Sequence, residues 1–89
     1  MELDDLLKNY REQIDTIDTE IIYLLSRRFA LVKQIWNIKK ENWEKPLQSK
    51  RWNSLLNNLL LEAEDKNVNK GLIKNIWELI HKESLKIEK

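Results

Sequence analysis

The chain has 89 residues, 42% of them hydrophobic and 35% charged, with no cysteine and a single histidine, His81. This excludes a disulfide-stapled scaffold and a thiolate metal site, and one histidine argues against structural zinc. Sixteen basic and 15 acidic residues leave a net charge of +1, mixed along the chain, unlike the one-sided basic field of a nucleic-acid binder.

The first segment, from about Asp4 to Asn42, is periodic throughout. Leu3, Leu6, Leu7, Tyr10, Ile14, Ile17, Ile21, Leu24, Leu25, Leu31, Val32, Ile35 and Ile38 recur at spacings of three and four, which predicts a helix with a buried stripe. Asp4 or Asp5 is placed to cap it. The only proline, Pro46 in KPLQSKRWN, ends this pattern, and Ser49 is placed to cap a second helix running to about Asp65. Leu55, Leu56, Leu59, Leu60 and Ala63 form its inward face. After the polar connection EDKNVNKG, a third helix runs from Asn69 or Lys70 to the end, with Leu72, Ile73, Ile76, Trp77, Ile80 and Ile87 inward. One glycine and one proline leave little turn chemistry for a β-rich fold, so the expected class is all-α, as one domain over residues 1–89. No apolar run approaches the roughly 18 residues of a membrane span, and the acidic start MELDDLLKN lacks signal-peptide order. A soluble cytoplasmic chain is expected.

Helix length is informative. A 38-residue helix is about 57 Å long, whereas a compact 100-residue monomer has a radius of gyration of about 13 Å. A chain this short also buries only about 60% of its extended surface. The four tryptophans, Trp36, Trp43, Trp52 and Trp77, suit such a thin core. The long stripe would face water unless another chain covered it, so an intimate two-fold dimer is expected. A solvated coiled-coil extension is the plainer alternative, but the stripe is wider than a two-position seam.

Charges interrupt the stripes. Arg28 lies between Leu24/Leu25 and Leu31/Val32, and Lys39 beside Ile35 and Ile38. The two are eleven apart, close to three turns, so they share a face about 16 Å apart and could span a small anion. A buried cation needs something to satisfy it. Arg11 is about 25 Å from Arg28 along the same helix and cannot reach a small ligand held there, but Arg11 of an antiparallel partner could. The plainer role for Arg11 is an ion pair with Asp15 or Asp18. In the third helix, Ser84 continues the line of Trp77 and Ile80. His81, Ser84 and Glu88 fall at i, i+3 and i+7. Alone, His81 reads as a packing or surface residue, and Glu88 as solvated. Gln48, Arg51 and Trp52 lie three and four apart, on one side of the second helix's first turn.

The run YREQIDTIDTEIIYLLSRRFALVKQIWNIKK, followed by KPLQSKRWN and IWELIHKESLKIE, resembles the small all-helical chorismate mutases, whose three-helix chains form an intertwined homodimer. The resemblance covers nearly the whole chain and rests on the ordered set Arg11, Arg28, Lys39, Arg51 and Ser84. It implies that Arg11 enters the partner's site and binds one substrate carboxylate, while Arg28 binds the other in its own subunit. Lys39 would hold a carboxylate and the ether oxygen of the breaking bond. Arg51 would line the pocket at the ring-hydroxyl end, Ser84 would assist a carboxylate, and Glu88 would be the second contact to the ether oxygen. Two positions depart from the common pattern: Gln48 stands where many members have aspartate, and Trp52 where many have glutamate. Both concern recognition of the substrate hydroxyl. Gln48 can still accept or donate; Trp52 can only donate or pack.

The implied reaction, chorismate to prephenate in the shikimate route to the aromatic amino acids, is pericyclic and needs no nucleophile, metal or redox cofactor. The expected partners are a small dianionic substrate and a second copy of the chain, with a complex or fusion with another aromatic-pathway enzyme also open. Nucleic acid and membrane are not expected. Two rivals remain at this level. One is an isochorismate pyruvate lyase on the same scaffold. The other is a non-catalytic helical dimerisation or regulatory domain.

Overall fold

The computed structural model describes residues 2–42 and 49–88. Among them the secondary structure is helical: α1 (Leu3–Glu41), α2 (Ser49–Asp65) and α3 (Lys70–Ile87). The three expected elements are present, with ends within two residues of those read from the sequence. Trp43, Pro46 and Gln48 lie outside the described residues, as does the side chain of Ser49, on which the cap of α2 was read. No described helix is long and apolar enough to cross a membrane.

The start of α1 differs from the expectation. The Leu6 N–H donates to the Glu2 carbonyl at 3.1 Å, so Asp4 and Asp5 sit inside the first turn, not at the cap. Their charge still meets the positive end of the helix dipole, and Lys39 and Lys40 meet the negative end. Asn42 closes the helix by donating its side-chain amide to the Ile38 carbonyl at 2.8 Å.

The chain divides into two compact units, Met1–Leu31 and Val32–Lys89. In the first, the apolar stripe of α1 is open: Leu3, Tyr10, Ile14, Ile17, Ile21 and Leu24 are all exposed. Within one chain the stripe is therefore not buried, as the length of the helix implied: α1 has no buried residue.

In the second unit, α2 packs against α3. Leu55, Leu56, Leu59 and Leu60 are half-buried and Ala63 is buried, as the pattern of α2 requires. On α3, Ile73, Trp77, Ile80 and Ile87 are half-buried. Leu72 and Ile76 were also read as inward, but both are exposed, together with Leu79. The reason is geometric: residues 72, 76 and 79 form their own row at i, i+4 and i+7, beside the row 73, 77, 80 and 84, and only the latter is covered.

The α2–α3 turn is held by local chemistry. Asn67 adopts the left-handed conformation (φ 58°), which asparagine tolerates better than most residues. The Val68 N–H reaches the Ala63 carbonyl at 2.8 Å and the Asn67 N–H the Glu64 carbonyl at 3.2 Å, closing α2 in a Schellman motif. Asn69 then caps α3, its Oδ1 accepting from the Leu72 N–H at 2.8 Å. Gly71 leaves room for that cap, since a Cβ there would stand 3.1 Å from Asn69 Oδ1. Lys70 Nζ bridges to Glu64 Oε2 at 2.8 Å; this hydrogen bond and the charge behind it lower the Glu64 pKa. Both groups are exposed, so the bridge adds little stability. Asn69→Ala is expected to cost about 1 kcal/mol, read as a lower urea midpoint at unchanged slope. Asn69→Asp should keep most of the stability.

Candidate active site

The α2–α3 hairpin fixes which residues stand level with one another. The Glu64–Lys70 bridge and the stacked rings of Trp52 and His81 are both centred on residues 66–67 of the chain. The helices therefore run antiparallel from that turn. At the far end, the first turn of α2, with Arg51 and Trp52, lies level with the last turns of α3, from His81 onward.

That end of the unit carries an unusual burial pattern. Only three described residues are buried, and two are polar: Ser84 (7% exposed) and Glu88 (8%), against Ala63 (5%). Ser84 continues the covered row of α3, and its hydroxyl donates to the Ile80 carbonyl at 3.0 Å. Glu88 sits one turn further on as the C-cap, its N–H donating to the Ser84 carbonyl at 3.1 Å. A carboxyl group there meets the negative end of the helix dipole and has left water. Neither effect helps α3 fold.

The other candidates are distributed as follows. Lys39, in the last turn of α1, belongs to this same unit and is half-buried. Arg51 is exposed, while Trp52 is half-buried against His81, with ring centroids 4.2 Å apart and planes 22° from parallel. Arg28 and Arg11 belong to the first unit. Arg28 is half-buried and Arg11 exposed. Arg28, Lys39, His81 and Ser84 all have interaction partners. Among the described residues Arg11 forms no ion pair with Asp15 or Asp18, so the plainer role considered for it is not taken up.

Glu88 taken alone reads as solvated, yet it is buried; its i+4 spacing from Ser84 and the family resemblance are the signals that single it out. The Trp52–His81 contact joins residues 29 positions apart in sequence and has no local pattern. Only the antiparallel register, set by the turn at Asn67, predicts it.

A family model described as chorismate mutase type II matches residues 10–89, which include every candidate above. The chain belongs to the chorismate mutase type II family. The all-helical chain and the family's reaction, rearrangement of chorismate to prephenate, agree with the resemblance read in the sequence. Over 80 residues this mutase-family chain is 30% identical to the T-protein of Haemophilus influenzae, covering 90% of this chain and 21% of that protein. It thus spans about a fifth of the curated relative it matches. No solved structure gave a match.

Proposed function

We propose that the chain is a single chorismate mutase domain over residues 1–89, a cytoplasmic, cofactor-independent isomerase that works as an intertwined homodimer. The observation that carries the reading is the buried Ser84–Glu88 pair at the end of α3, in a chain whose family match is nearly complete. A pericyclic rearrangement requires only that the substrate be held folded and that charge be stabilised as the carbon–oxygen bond breaks. Guanidinium forks suit the two carboxylates, so Arg28 takes one and Arg11 of the partner subunit the other. Lys39 offers a cationic donor to the ether oxygen, where negative charge grows. Ser84 supports a carboxylate, and Arg51 and Gln48 face the ring-hydroxyl end, with Trp52 packed on His81.

The dimer reading is supported by exposure. Apolar positions remain open along the whole of α1, from Leu3 (70% exposed) to Ile38 (62%). Arg11 borders that stripe, between Leu7 and Ile14, and is well placed to enter a neighbour's site. The T-protein relative, of which this chain matches a fifth, supports a second arrangement in which such a domain is one part of a longer protein.

The direct test is to incubate the purified chain with chorismate and, separately, with isochorismate. Prephenate from the first supports the mutase. Salicylate and pyruvate from the second, with no prephenate from the first, would make it a lyase. Glu88 adds a second test. A carboxylic acid can donate to the ether oxygen only when protonated, whereas a glutamine amide always can. Glu88→Gln is expected to keep or raise kcat/KM, and Glu88→Ala to lower it about tenfold or more, as for loss of one donor to a growing charge. An Ala variant as active as wild type would remove Glu88 from this role.

A further inference from the structure

His81 has no part in the chemistry above, yet it makes the one ring–ring contact among the described residues. We propose that the Trp52–His81 stack is a brace that sets Arg51 against the Ser84–Glu88 face, making His81 a positioning residue for the dicarboxylate substrate. The inference rests on the mutase reading and adds a residue to it.

The argument starts from Arg51. Its side chain is exposed, and no ion pair holds it among the described residues. Left to itself, a long flexible cation at the start of a helix samples many rotamers, and ordering it costs binding energy. What fixes its base is the next residue. Trp52 lies half-buried and nearly parallel to His81 at 4.2 Å, so the backbone at 51–52 is tied to α3 by two rigid rings. His81 lies one turn before Ser84 and two turns before Glu88 on the same helix. The stack therefore couples the carrier of the cation to the carriers of the buried hydroxyl and carboxyl group. Near-parallel stacking leaves the polar atoms of both rings at their edges, so the stack itself needs only a flat ring at position 81, while the imidazole keeps an interaction of its own. Nearer the turn, Leu56, Leu59 and Leu60 are half-buried and Ala63 is buried, so the α2–α3 hairpin has apolar cover besides the stack.

Three proteins test the brace: wild type, His81→Ala and His81→Phe, each assayed for chorismate turnover with the melting temperature recorded. His81→Ala is expected to raise KM by about threefold to tenfold, the range a lost aromatic pair supports, with kcat within about twofold of wild type, because uniform binding is lost and transition-state contacts are not. His81→Phe, which keeps the stack, should bring KM back to near wild type. The brace is overturned if Ala lowers the melting temperature without moving KM, which is a merely structural role. It is also overturned if Phe is as impaired as Ala, because the ring nitrogens rather than the stack then matter, or if kcat falls as far as KM rises. Wild-type turnover separates the two levels: an active wild type with unmoved variants sinks the brace alone, and an inactive wild type sinks the mutase reading and the brace together.

Discussion

Lys39→Ala is expected to lower kcat by about 10²- to 10³-fold, equivalent to about 3 to 4 kcal/mol of transition-state stabilisation. The size follows from when the contact is made. A cation facing a neutral ether oxygen gains little in the ground state, but it gains steadily as the bond lengthens and the oxygen becomes anionic, so the loss should appear in kcat more than in KM. Position also matters. Lys39 is half-buried in the last turn of α1, where the negative end of the helix dipole favours a cation, so the residue is not costly to the fold. Removing it should leave the circular-dichroism signal and the oligomeric state unchanged. Lys39→Arg is a sharper variant: it keeps the charge but replaces a compact ammonium with a planar fork, and should recover only part of the rate. If Lys39→Ala retains activity within tenfold of wild type, the ether oxygen is served by another group and the role assigned here is wrong.

How much of this could be read from the sequence depended on the range of the interaction. The three helices follow from local periodicity, and their ends agree within two residues even though the cap read at Asp4 or Asp5 does not form. Which apolar row is covered was not legible. Leu72 and Ile76 look as inward as Ile73 and Trp77, since a period of 3.6 marks a broad apolar face without saying which half the same chain covers. For α1, helix length supplied what periodicity could not: its stripe is expected to face water unless another chain covers it, and within one chain it is open. The buried Ser84 was legible because it continued an apolar row. Glu88 was harder, since chain ends ordinarily fray and acids there are solvated. Arg51 and Lys39 were readable beside neighbours on their own helices, Trp52 and Arg28, but the part of α3 that Arg51 meets is carried by the register of the α2–α3 hairpin. That register is set by one left-handed asparagine and one cap, Asn67 and Asn69.

Mixing two inactive variants should restore activity, and this result would bear on both the dimer and Arg11. Arg11→Ala removes a carboxylate-binding cation and is expected to lower kcat/KM by about 10²-fold or more, as for loss of a charged hydrogen-bonded pair. Lys39→Ala is inactive for the reason given above. In a two-fold dimer whose site combines Lys39 of one subunit with Arg11 of the other, a heterodimer of these variants contains one site with both residues intact and one with neither. Random exchange makes half the dimers mixed, so about a quarter of the wild-type sites return. If Arg11 served its own chain, no mixture could contain an intact site and activity would stay at the level of the parents. The measurement is prephenate formation after mild unfolding and joint refolding of the two variants, compared with each refolded alone. The interface itself can be tested on the same helix. Ile21→Asp places a charge in the open stripe of α1, while Thr19→Asp makes a similar change on the opposite face, where Thr19 only returns a hydrogen bond to the Asp15 carbonyl. Ile21→Asp should shift the chain toward monomers by analytical ultracentrifugation and make specific activity fall on dilution; Thr19→Asp should do neither. A monomeric Ile21→Asp protein with full activity would mean that each chain carries a complete site, and the shared-site geometry would have to be abandoned even though the family assignment stood.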